Sequence, residues 1–299
     1  MNDWNKLYDR AETLLSRLEG LLCTDASNPD WNATAFRWRK SGRAGAIEPV
    51  RYPDRISFEA LQGIERQKNL VDQNTRQFVR HHPSNNVLLT GARGTGKSSL
   101  VKAMLNKYAD DGLRLIEVEK HDLIDLPEIV EKIYQRPERF ILYCDDLSFE
   151  SGEPGYKALK VVLDGSIATA SENVLVYATS NRRHLMPEYM DDNRDTRHIG
   201  GEIHLSETVE EKTSLSERFG LWVSFYPFDQ EQYLDIVARW LAYLGIDEMN
   251  EKVREEALRW ALGRGSRNGR VAWQFACDWA GREKTEKKTA DKTELGEER

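Results

Sequence analysis

Residues 86–98 read N-V-L-L-T-G-A-R-G-T-G-K-S. A short, mostly apolar run from Asn86 to Thr90 leads into glycines at 91, 94 and 96, followed by Lys97 and Ser98. The spacing is G-x-x-x-x-G-K-[ST], and Lys97 to Tyr108 carries a helical pattern, so the loop joins a buried strand to a helix. Glycines let the backbone curl until successive N–H groups point inward at phosphate oxygens. The helix that follows adds its positive N-terminal end. Gly91, Ala92, Arg93, Gly94, Thr95, Gly96, Lys97, Ser98 and Ser99 are therefore the candidate phosphate-contacting set. In such a loop the lysine reaches the β- and γ-phosphates and the hydroxyl after it ligates Mg2+, roles that fall to Lys97 and Ser98.

Around this loop the chain repeats a strand–helix pattern. Ile64 to Val79, Leu126 to Tyr134 and Gly155 to Ala170 read as helices. Leu113 to Val118, Phe140 to Cys144, Val174 to Thr179 and Leu221 to Phe225 read as short apolar strands. Alternation of this kind implies a parallel sheet covered on both faces. After Pro227 the strands stop. Gln230 to Leu244 places Tyr233, Val237, Trp240 and Leu244 on one helical face, with Asp229 at the capping position. Glu251 to Leu262 and Val271 to Ala280 complete a small helical unit.

The expected organisation is an N-terminal helix and irregular connector over 1–55, an α/β nucleotide-binding core over 56–227, a helical lid over 228–281 and a disordered tail over 282–299. Within the first of these, Trp4, Leu7, Ala11, Leu14, Leu18 and Leu21 form an amphipathic stripe suited to docking on the chain's own body. The tail has almost nothing to bury.

Composition narrows the function. Of 299 residues, 39% are apolar and 31% charged, as in a water-soluble globular protein. No run of about 18 apolar residues occurs, and the N-terminus lacks a basic-then-apolar leader pattern. Cys23, Cys144 and Cys277 are far apart and match no metal spacing, which fits reduced thiols in a cytoplasmic protein. A net charge of −7 gives no global attraction to nucleic acid.

Three further stretches carry chemistry. Phe140 to Asp146 reads F-I-L-Y-C-D-D, an apolar strand ending in two acids at the carboxyl edge of the sheet. There Asp145 is placed to hold Mg2+ through water and Asp146 to orient an attacking water. Ala178 to Arg183 reads A-T-S-N-R-R; Asn181 can bond a γ-phosphate and the water, or simply form a turn. Leu215 to Gly220 reads L-S-E-R-F-G, where Arg218 either reaches a neighbouring subunit's γ-phosphate or pairs locally with Glu217 or Glu211; Arg194 and Arg197 are rivals for the first role. In S-R-N-G-R-V-A, from Ser266 to Ala272, Arg270 or Arg267 can couple the helical unit to the nucleotide, or lie on its surface.

The glycine loop, F-I-L-Y-C-D-D, T-S-N, S-E-R-F-G and a helical unit containing G-R, in that order, resemble the AAA+ ATPases over residues 56–280. Within them the strings C-D-D-L-S-F-E and S-E-R-F-G are most similar to a bacterial AAA+ family of unknown function. The resemblance implies a five-stranded parallel sheet in the order 5-1-4-3-2, a C-terminal all-helical lid, ATP with Mg2+ between core and lid, and ring or partial-ring oligomers. Phe58 to Arg66 looks like the segment that lines the adenine pocket, with Gly63 and Ile64 at the base. One departure stands out: most AAA+ hydrolases end the second motif in Asp-Glu, whereas here it is Asp145-Asp146. Aspartate is shorter by a methylene, and misplacement by about 1 Å can cost about 10²-fold. Glu150 substitutes only if the loop takes a particular shape.

The leading expectation is an ATPase whose hydrolysis drives a conformational change on a macromolecular partner, DNA or protein. The alternative is a slowly hydrolysing nucleotide-dependent switch or loader. A small-molecule kinase fits less well, because the helical lid and Arg218 suit subunit contacts better than a phosphoryl-acceptor pocket. Arg182, Arg183, Arg194 and Arg197 cluster in sequence, diluted by Asp191, Asp192 and Asp195.

Overall fold

A computed structural model describes residues 29–41, 44–149, 153–164, 172–181, 197–199, 202–204, 215–246 and 249–297, with the backbone alone at 41, 44, 197–199, 202–204 and 286–297. The amphipathic stripe of residues 4–22, Glu150, and the arginines at 182, 183 and 194 lie outside the described residues; Arg197 is described in its backbone only.

The strands are β1 (Ala35–Ser41), β2 (Ala44–Pro49), β3 (Val87–Gly91), β4 (Leu113–Glu117), β5 (Arg139–Cys144), β6 (Val174–Ser180), β7 (Arg197–Ile199), β8 (Glu202–His204) and β9 (Leu221–Phe225). Seven of them form one sheet in the order β2-β1-β4-β5-β6-β3-β9, and β7 and β8 pair separately. This corrects the five-stranded expectation. The five parallel strands β9-β3-β6-β5-β4 lie side by side in the middle and at one edge, and β1 and β2 extend the sheet beyond β4. β1 runs parallel to β4, while β2 turns back antiparallel to β1.

Burial follows the period-two alternation of a strand covered on both faces. Val87, Leu89, Ile141 and Tyr143 point into one apolar cluster, and Leu88, Phe140, Leu142 and Cys144 into another. The first cluster is covered by α1 (Glu65–Val79) and α2 (Lys97–Tyr108) and continues into the helical lid. The second is covered by α3 (Leu126–Ile133) and α4 (Pro154–Asp164). The lid consists of α5 (Gln230–Tyr243), α6 (Glu251–Gly263) and α7 (Gly269–Glu297). Asp229 caps α5 by accepting the Gln232 N–H at 2.8 Å, and the Gln232 side chain closes a capping box.

Two stretches differ from the sequence expectation. Residues 282–297, expected to be disordered, continue α7. Lys284 Nζ donates to the Leu244 carbonyl at 2.9 Å and ties this extension to the end of α5. The segment is also rich in Glu and Lys, good helix formers. Residues 35–49, expected to be irregular, form the β1–β2 hairpin. Phe36 and Trp38 alternate with Arg37 and Arg39: the aromatics are wholly buried, and the arginines pair with Glu117 and Glu119 at 2.7 and 3.6 Å. Trp38 Nε1 also donates to Asp125 Oδ2 at 3.2 Å.

The hairpin depends on Gly45. A Cβ built there would stand 1.8 Å from Trp38 Cζ2, so the indole lies flat against a strand position with no side chain. Gly45→Ala is expected to destabilise the protein by about 1–3 kcal/mol, the usual range for overpacking. The measurement is the urea midpoint at unchanged slope; an unshifted midpoint would mean that the indole does not cover Gly45.

Candidate nucleotide site

The loop after β3 turns on glycines that no other residue replaces without strain. Gly91, Gly94 and Gly96 have φ of 129°, 74° and 98°. At Gly91 a Cβ would meet the Phe225 carbonyl oxygen at 1.9 Å, because β9 pairs directly alongside. Thr95 Oγ1 closes the loop by donating to the Ala92 carbonyl at 2.8 Å.

Lys97, at the start of α2, is only 6% exposed. Its ammonium donates to the Gly91 and Ala92 carbonyls, each at 2.8 Å, and to Asn181 Oδ1 at 3.0 Å. Burial lowers its pKa, while Asp145 and Asp146 oppose that shift. Ser98 Oγ donates to Asp145 Oδ1 at 2.8 Å. Asp145 and Asp146 follow β5, and Asn181 follows β6, so three neighbouring parallel strands deliver these groups to one edge. Burial would raise the Asp145 carboxyl, but the hydroxyls of Thr179, Tyr143 and Ser98 and the Asp146 N–H hold it below its ordinary value.

Asp146 has φ of 50°, a left-handed conformation that Asp and Asn tolerate better than most residues. Its carboxylate accepts from Asn181 Nδ2 at 2.5 Å and lies 3.8 Å from the Arg93 guanidinium. Lys97, Asn181, Asp146 and Arg93 thus form a continuous polar chain across the mouth of the loop.

Lid and opening segment converge on the same place. Gly269 N–H, at the start of α7, donates to the Gly94 carbonyl at 2.8 Å. Asn268 caps α7 by accepting the Val271 N–H at 2.9 Å, and its side chain sits over Gly94, where a Cβ would be 2.6 Å away. Gly63, at φ of 73°, lies under the Phe228 ring, and buried Ile64 reaches towards Gly96. Arg270 and Arg267 are exposed, and among the described residues neither has an ion-pair partner. Ser99 follows on α2. Arg218 lies elsewhere: its Nε is 2.5 Å from Asp164 Oδ1 at the end of α4, and Glu211 lies outside the described residues. A separate cleft of about 1060 Å³ opens towards the amino ends of β5 and β6, lined by residues such as Phe78, Tyr134 and Arg139 and by none of the loop residues.

Sequence reading overlooked Thr179 and Asn268. Thr179 lies two residues before Asn181, the period that puts strand residues on one face; Asn268 sits where an N-cap would. Both signals were present but weak beside the glycine motif.

Comparison with solved structures shows the same fold. The replication initiator DnaA bound to AMPPCP and single-stranded DNA matches with a TM-score of 0.50 at 18% identity, over 79% of this chain and 70% of that one. AMPPCP-bound DnaA from Aquifex aeolicus matches with a TM-score of 0.50 at 16% identity, over 81% and 72%. No curated protein sequence matches. The strand order, the glycine loop and these neighbours make the fold that of an AAA+ P-loop ATPase. A family model described as "Protein of unknown function (DUF815)" matches residues 31–283, and the chain belongs to that family.

Proposed function

We propose that the protein binds Mg·ATP at residues 91–98 and hydrolyses it, coupling the reaction to movement of the lid and through it to a macromolecular partner. The observation that carries this reading is the convergence of Lys97, Ser98, Asp145, Asp146 and Asn181 on one glycine loop to which α7 is itself hydrogen-bonded.

The residues fit the ligands. Curled loop N–H groups and the α2 N-terminus suit phosphate oxygens. Lys97 rests on backbone carbonyls of its own loop and exchanges them for β- and γ-phosphate oxygens when nucleotide enters. Ser98 Oγ and Asp145 Oδ1 are hard oxygen donors 2.8 Å apart, a pair suited to Mg2+, which takes few protein ligands and fills its other positions with water and phosphate. When bound, that ion neutralises charge on the phosphates. Asp146 and Asn181, already in contact, orient the attacking water. Gly63 and Ile64 line the base side and Arg270 meets the γ-phosphate from the lid. Arg218 reaches a neighbouring copy's nucleotide only by giving up Asp164.

A second reading, a switch or loader that barely turns over, is favoured by Asp146. Its short carboxylate is tied to Asn181 and faces Arg93. DNA and protein both remain as partner classes; a DNA partner would show salt-dependent affinity.

Lys97→Ala is expected to abolish binding of a fluorescent ATP analogue, and wild-type affinity in that variant would remove the proposal. Asp146→Asn is expected to bind nucleotide as before while steady-state turnover falls about 10²-fold or more; unchanged turnover would show that Asp146 does not act on the water. Turnover per subunit is expected to rise with protein concentration and to lose that rise in Arg218→Ala, whereas a flat rate in the wild type would mean that no second copy completes the site.

A further inference from the structure

The ladder between β5 and β6 ends at the pair Cys144 and Ala178, so the next residues, Asp145 and Thr179, stand where the two strands part. Thr179 is 1% exposed and bridges that gap. Its hydroxyl donates to Asp145 Oδ1 at 2.6 Å and accepts the Asp146 N–H at 2.9 Å, and its carbonyl accepts the Leu147 N–H at 2.6 Å. One residue therefore contacts three successive positions of the acidic turn.

The two hydroxyl bonds do different things. Asp145 Oδ1 has two donors, Ser98 and Thr179. A metal held by Ser98 would take a lone pair of its oxygen and leave the proton on the carboxylate, so Ser98 would be shared between ion and acid, whereas Thr179 is the donor that answers to the protein alone and fixes the carboxylate's rotation from the β6 side. The bond from the Asp146 N–H anchors a residue whose backbone, at φ of 50°, is otherwise unfavourable, and so sets the direction in which the Asp146 carboxylate leaves the chain. A hydroxyl supplies one proton and accepts another, and both are used here.

We propose that Thr179 is a positioning residue for Mg2+ and for the attacking water, acting through Asp145 and Asp146; this rests on the Mg·ATP reading given above. Groups that orient a metal's ligands affect affinity although they never touch the ion, and their loss typically costs 10–100-fold.

The test is the affinity of a fluorescent ATP analogue with Mg2+ and with EDTA, in the full chain. Thr179→Val keeps the shape and removes the hydroxyl. The expected result is that the tightening produced by Mg2+ shrinks about 10-fold or more while the affinity in EDTA stays within about two-fold. Thr179→Ser, which keeps both bonds, is expected to retain the Mg2+ effect. Should Thr179→Val not fold, Thr179→Cys, with a weaker donor, provides the same comparison, and a folded state is verified by the melting transition. A role confined to folding would weaken both arms together and overturn the proposal, as would a Mg2+ effect left intact in the variant. A wild type that gains nothing from Mg2+ would instead remove the Mg·ATP reading and the proposal with it.

Discussion

The site depends on β3 and β5 ending at the same edge of the sheet, although β6 lies between them. That arrangement brings Ser98, just past the glycine loop, within 2.8 Å of Asp145, just past β5. Parallel strands buried on both faces permit this because the side chains along their middles are apolar and tightly held: β5 is buried throughout, and β3 is buried up to its last residue, Gly91. The polar groups of the site then gather at the edge, where Asp145 and Asp146 find partners at the end of the neighbouring strand and just beyond it. β6 supplies those partners through Thr179 and Asn181.

The same constraint explains how the lid is attached. The loop bends at Gly94 because that residue lacks a Cβ, and the space left free is taken by the Asn268 side chain. The Gly94 carbonyl then faces outward and receives the Gly269 N–H. A backbone that rearranges around phosphates therefore cannot leave the start of α7 unaffected, since that hydrogen bond joins the two directly. On the other side Gly63 allows Phe228 to pack close, so the chain leading into α1 also touches the lid. The two contacts give the lid one polar and one apolar link to the core.

The centre of the fold was legible in the sequence because its signals are local. Short, mostly apolar runs mark the strands β3 to β6, the glycine spacing marks the loop, and Asp229 marks the start of α5. Legibility ended where structure depends on distant partners. The hairpin looks irregular because charged residues alternate with its aromatics and glycines stand at 42 and 45; only the pairing with β4, and Trp38 packed over Gly45, reveals it. Residues 282–297 have no apolar stripe, and their anchoring bond goes to Leu244, forty residues earlier. Arg218 also contacts Asp164, on a helix remote in sequence, which local spacing does not suggest. Asn181 was noticed for its amide, whereas Thr179, with an ordinary strand side chain, becomes informative only once β5 lies beside it.

The aspartate at position 146 can be understood in the same terms. Where the AAA+ pattern has a glutamate, this chain places a shorter acid on a left-handed backbone. That conformation is tolerated by Asp and Asn and costs most other residues roughly 1–3 kcal/mol. The turn itself is set by the Asp146 N–H reaching Thr179 and the Leu147 N–H reaching the Thr179 carbonyl. The shorter side chain and the unusual backbone are thus matched, and exchanging one without the other breaks the match. The carboxylate's position is defined less by its own length than by the bonds from β6 that turn the chain beneath it, with Asn181 holding it from above at 2.5 Å.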